Sequence, residues 1–162
     1  MHSPNNKVNN YIGSALESLT LHSKLPAEAN FVQTEEHNQK AVQAALKVMD
    51  RHLSALNELD ELALASTLHF PHFRLVGTSL KIWETADKYL DDFKTRVGEN
   101  WAYTKLPSII PISATTNKVH LDVQVNRFNA QDQLITDFKS IWVITEIGGV
   151  WAAQLRSSFA PA

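Results

Sequence analysis

Three runs between Val119 and Phe159 repeat with a period of two. Val119, Leu121, Val123 and Val125 alternate with His120, Asp122, Gln124 and Asn126. In the next run Phe138, Ser140, Trp142 and Ile144 share a face; in the last, Trp151, Ala153, Leu155, Ser157 and Phe159 do. That period belongs to strands with one buried face. The connectors are short: Asn129-Ala130-Gln131-Asp132-Gln133 reads as a hairpin loop and Gly148-Gly149 as a tight turn. Strands joined this closely run antiparallel. The C-terminal part is therefore a sheet, and its apolar face needs a cover from upstream.

The upstream chain supplies helices. Val8, Tyr11, Ile12, Ala15, Leu16 and Leu19 have helical spacing, and His22 to Gln33, with Pro26, reads as a connector. Thr34-Glu35-Glu36 looks like a helix start, with a capping hydroxyl and acidic residues in the first turn. The stripe Val42, Ala45, Leu46, Met49, Leu53, Leu56 carries that helix to about Leu56 and puts His52 on its edge. A break follows at Asn57-Glu58-Leu59-Asp60, then a short helix capped by Asp60. His69 to Val76 is a strand interrupted by Pro71, which implies an edge or a bulge. The chain turns at Gly77-Thr78-Ser79 and returns through Trp83. A third helix follows Thr85, with Ala86, Leu90, Phe93 and Val97 on one side and Gly98 as its stop. Trp101 to Ser113 is a long strand bent at Pro107 and Pro111. Helices first and strands later give an α+β fold, helices packed on one face of a curved, mainly antiparallel sheet. The expected organisation is an N-terminal extension over 1–34 and a domain over 35–162.

With 162 residues, 15 Lys+Arg and 17 Asp+Glu, the chain shows no charge block of the kind that reads nucleic acid or a membrane surface. No apolar run approaches the roughly 20 residues needed to span a bilayer. The absence of cysteine removes disulfides and thiolate chemistry and suits a cytoplasmic setting. No glycine-rich phosphate loop and no nucleophile elbow occur.

Histidine is the side chain whose ordinary pKa suits proton transfer near neutrality, so His52 on the helix edge is the candidate acid/base. His69 and His72 flank Pro71 without a third ligand at a recognisable spacing, so they read as structural and no metal is expected. His120 and Asp122 fit the outer sheet face. Arg127 and Arg156 suit bidentate anchoring of a carboxylate, but the expectation for them is a salt bridge at the sheet rim.

Several stretches together resemble the SnoaL-like, steroid isomerase-like branch of the nuclear transport factor 2 superfamily. They are His52 to Asp60, His69-Phe70-Pro71-His72-Phe73-Arg74, Trp83, Asn117 to Leu121, Gly149-Val150-Trp151 and Arg156 to Phe159. The resemblance implies a cone-shaped, cystatin-like roll and a homodimer through the sheet. It also implies a catalytic test. Steroid isomerases of this branch have a tyrosine where this chain has His52, a base aspartate within the segment Phe73 to Gly77, and a protonated aspartate where this chain has Ser140. Both carboxylates are missing. The expectation is thus a protein that binds a small hydrophobic or aromatic molecule in an apolar pocket, with no cofactor. Its wall should comprise His52, Phe73, Trp83, Ser140, Trp142, Leu155, Ser157 and Phe159. The alternative is a cofactor-independent isomerase, cyclase or dehydratase with His52 as acid/base.

Overall fold

A computed structural model describes residues 28–161. The helix expected at Val8–Leu19 lies outside the described residues. Helix α1 (Glu28–Glu58) begins ahead of Thr34, so the end of the expected connector is helical. Glu28 and Ala29 suit a first turn as well as Glu35 and Glu36 do, and periodicity alone does not choose between two compatible starts. Then come α2 (Glu61–Ser66), β1 (Leu68–Val76), β2 (Ser79–Trp83), α3 (Ala86–Asp91), α4 (Phe93–Val97), β3 (Tyr103–Ala114), β4 (Lys118–Phe128), β5 (Leu134–Ile147) and β6 (Val150–Ser158).

Among the described residues the strands form one open six-stranded sheet in the order β2-β1-β6-β5-β4-β3. All neighbours are antiparallel except β1 and β6, which run parallel. The fold is α+β. Strand β1 is therefore not an edge: Pro71 sits in a break of register against β6 between Leu68 and Phe73. The two prolines of β3 likewise accompany register shifts at 105–108 and 111–113. Gly148 and Gly149, at φ 59° and 82°, supply the two left-handed positions that a two-residue hairpin turn requires.

The buried face of α1 is Ala41, Ala45, Val48, Met49, His52 and Ala55, with Val42, Leu46 and Leu56 only partly covered. His52 thus lies in the middle of the stripe rather than on its edge. Alanine fills three of these six buried positions, while the larger Leu46 and Leu56 fall to the flanks. The third helix is broken at Asp92 into α3 and α4, and Tyr89 joins Phe93 as its most deeply buried ring.

The end of α1 is fixed by one side chain. Asn57 donates from Nδ2 to the Thr104 carbonyl at 2.9 Å and accepts from the Thr104 amide at 2.8 Å. This pair ties the helix terminus to β3 as a ladder bond would. The chain then reverses at Leu59, which carries a left-handed φ of 56°. Asp60 caps α2 by accepting from the Ala63 amide at 3.0 Å.

Two outcomes are expected from urea denaturation. Asn57→Ala leaves the buried Thr104 backbone without both partners and lowers stability by about 2 kcal/mol. Leu59→Gly relieves the left-handed conformation and raises it by about 1 kcal/mol, offset in part by glycine's greater unfolded-state freedom.

Candidate functional site

The site's walls follow from strand parity. Directly paired residues on neighbouring strands share a face. Arg74 of β1 lies beside Arg156 of β6, Arg156 opposite Trp142 of β5, and Trp142 opposite Leu121 of β4. Leu121 is fully buried, so this row faces the helices. Ser158, Ser140 and Val123 form the next inward row.

Strand β6 reaches this arrangement by a bulge. Ile144 pairs with Ala153 but Val143 pairs with Leu155, so Gln154 is an extra residue. One extra residue exchanges the faces of everything beyond it. Ala153 faces in; after the bulge Arg156 and Ser158 face in and Leu155, Ser157 and Phe159 do not. Leu155 is 39% and Phe159 77% exposed. Strand β1 shows the same parity: Arg74 faces in while Phe73, flanked by Ile82 and Leu155, faces out.

The inward rows and α1 line a small, partly open cavity of about 50 Å³. His52, Leu53 and Leu56 of α1 form one side. Arg74, Leu106, Val125, Arg127, Phe138, Ser140, Trp142, Arg156 and Ser158 form the sheet side. A neighbouring lobe shares His52, Leu56, Arg74, Arg127 and Arg156 and adds Tyr89, Phe93 and Arg96. Of the expected wall, the cavity brings together His52, Ser140 and Trp142. Phe73, Leu155, Ser157 and Phe159 lie on the other face of the sheet. Trp83 is buried elsewhere, stacked on His72 at 6.0 Å and edge-on to Tyr89 at 5.3 Å.

His52 is held in one tautomer. The Thr67 hydroxyl donates to the Leu64 carbonyl at 2.7 Å, so it accepts from His52 Nδ1, also at 2.7 Å. Nε2 therefore carries the lone pair. The ring meets Trp142 edge-to-face at 5.0 Å. Burial, then the charges of Arg156 and Arg96, lower its pKa to about 3. His52 is neutral at pH 7, and a base this weak abstracts protons poorly there. His72 donates from Nδ1 to the Ala153 carbonyl at 3.1 Å, and its pKa falls to about 2, chiefly through burial and then Arg156. His69 bonds the Thr145 carbonyl at 3.1 Å, so both histidines beside Pro71 serve the sheet.

The arginines sit where the sequence does not lead one to expect them. Arg127 and Arg156 were expected at the rim in salt bridges. Both line the cavity instead, and among the described residues the ion pairs involve Lys40, Lys81, Arg96 and Lys139. Arg74 joins them, in the segment where the steroid isomerases would place a carboxylate. Burial lowers the Arg74 pKa to about 9, helped by the charges of Arg156, Arg96 and Arg127. Arg127 and Arg156 shift downward for the same first reason. Arg156 lies over the Trp142 ring at 4.9 Å. The signal in the sequence was the pattern Arg74, Arg127, Arg156 on apolar strands; the bulge at Gln154 hid it. Among the described residues no cluster of three metal-ligating side chains forms.

Acid should destabilise the fold from a predictable point. As pH falls through about 6.5 the unfolded chain protonates His52 and His72 while the folded chain does not, so stability drops across the window down to about 3. Each histidine contributes a slope of about 1.4 kcal/mol per pH unit within that window. Unfolding midpoints between pH 8 and 5 should fall, and His72→Asn should roughly halve the slope. Arg74→Met removes a buried charge and should raise the stability of the ligand-free protein by about 1 kcal/mol at pH 7, measured by denaturation.

No protein-family model matches the chain, and no curated protein matches it. Solved structures do match in fold. An NTF2-like protein of unknown function from Pseudomonas putida superposes with TM-score 0.62 at 11% identity, covering 76% of this chain and 88% of its own. An NTF2-like protein with a cystatin-like fold from Novosphingobium aromaticivorans gives 0.61 at 12%, covering 83% and 90%. A ketosteroid isomerase-like protein from Erwinia carotovora gives 0.51 at 13%, covering 74% and 96%. At these identities the similarity establishes the fold: cystatin-like, of the NTF2 type.

Proposed function

From an NTF2-type fold with a cavity on its inward face, we propose that this protein binds a small organic molecule between α1 and the sheet. One observation carries the reading: polar and aromatic groups, His52, Ser140 and Trp142, converge with Leu53, Leu56, Val125 and Phe138 on one partly enclosed space. A concave, largely apolar space with a few fixed polar groups is the common form of a small-molecule site. His52 acts there as a hydrogen-bond acceptor through Nε2, its orientation set by Thr67. Binding takes precedence over proton abstraction because burial has made this imidazole a weak base.

The second reading is a cofactor-independent isomerase, cyclase or dehydratase. It is supported by the position of His52 in the cavity and by the likeness to the isomerase-like protein from Erwinia carotovora. It requires the bound substrate to raise the His52 pKa towards neutrality.

We further propose a cytoplasmic homodimer formed through the outer sheet face. Ile82, Phe73, Leu155 and Val143 lie in one cross-strand row on that face, with Leu80 and Leu75 in the next. Leu75, Leu80, Ile82 and Leu155 are each exposed, and a contiguous apolar patch suits a subunit contact.

Native mass spectrometry of the purified protein tests the binding reading. A bound small molecule should be seen with the wild-type chain and lost in Leu56→Trp, which fills the cavity. Equal retention by both places the ligand elsewhere. Sedimentation at micromolar concentration should give a dimer that Leu155→Glu dissociates; a wild-type monomer would refute the assembly.

A further inference from the structure

The cavity holds more positive charge than its own fold can neutralise. Arg74 and Arg156 are lateral neighbours on the parallel pair β1/β6, both inward. Like charges directly beside each other on a sheet destabilise it. The Nε atoms of both are sealed from solvent and have no hydrogen-bond partner, against the rule that buried donors are satisfied. Arg127 lines the same cavity. No aspartate or glutamate lines either lobe. Arg96, the cation added by the second lobe, is neutralised by Asp92 at 2.5 Å. Burial opposes ionisation of Asp92, but hydrogen bonds from Lys81 and Arg96 override it and keep the carboxyl below its usual range. Asp92 is thereby committed to these two cations.

We infer that the ligand is an organic anion, a monocarboxylate on an apolar or aromatic body, with its carboxylate held between Arg74 and Arg156. The inference rests on the small-molecule reading above and names the class. Guanidinium forks match a planar carboxylate with paired N–H donors. The apolar part of the wall, Leu56, Val125 and Phe138, fits a hydrocarbon body and not a hydrated inorganic ion. A cationic ligand is repelled. The anion also removes the mutual repulsion of the two arginines, so binding and stability are linked.

Matched pairs of probes test this: acetate and acetamide, benzoate and benzamide, cinnamate and cinnamamide, with inorganic phosphate alongside. Each is titrated into the full chain, stripped of bound molecules, by calorimetry and thermal denaturation. At least one carboxylate should bind tenfold or more tightly than its amide and raise the melting temperature. The preference should vanish in Arg156→Gln, weaken in Arg74→Gln and persist in the surface control Arg51→Gln. Arg156→Lys, which keeps the charge, should retain part of it, so loss through misfolding is separable. Carboxylate binding should also raise the His52 pKa, read from imidazole NMR shifts.

Amides binding as tightly as carboxylates would overturn the anion and leave the pocket reading intact. An undiminished preference in Arg156→Gln would overturn the assigned position. Phosphate binding above every carboxylate would overturn the carboxylate class. Failure of every probe of either charge type would overturn both this inference and the pocket reading.

Discussion

The extra residue at Gln154 determines which side chains of β6 face the cavity. Without it, β6 would keep its parity from Ala153 onward, turning Leu155, Ser157 and Phe159 into the cavity and Arg156 and Ser158 to the outside. With it, Arg156 enters beside Arg74 and adds a third guanidinium to those that Arg74 and Arg127 already bring to the cavity. The bulge separates two paired stretches of β6; in the first, Ala152 and Ala153 are fully covered, so the start of the strand packs as the sequence suggests and only its second half is exchanged.

Helix α1 completes the site for a related reason. Its buried face includes the small residues Ala41, Ala45 and Ala55, and the Asn57–Thr104 clamp fixes where it ends. His52 is then buried on the inward stripe, against Trp142 and Thr67. The same burial that positions the imidazole takes away its basicity. The geometry that would make His52 a good ligand contact is thus the geometry that makes it a poor proton acceptor, unless a bound anion compensates the surrounding arginines.

Much of this was legible in the sequence, and the parts that were not have physical causes. The strands from Val119 to Ile144 follow their alternation because no bulge interrupts the inward row Val119, Leu121, Val123, Val125. The break at Leu59 and the cap at Asp60 were readable because turn chemistry is local. The buried stripe of the helix is rotated by a fraction of a turn from the one that its leucines mark, because hydrophobicity ranks leucine over alanine while the buried face here carries alanines. The site was half legible: His52, Ser140 and Trp142 meet, while Leu155, Ser157 and Phe159 were assigned across a bulge that no single-residue signal marks. Arg74 was passed over because Phe73, beside it, is the more apolar residue and parity alone distinguishes them.

The most direct measurement is a crystal structure of the protein grown with benzoate. The ring should lie against Trp142, Phe138 and Leu56, with the carboxylate within hydrogen-bond reach of both Arg74 and Arg156. A benzoate bound with its carboxylate away from both arginines, or a β6 strand without the bulge at Gln154 and with Leu155 in the cavity, would contradict it.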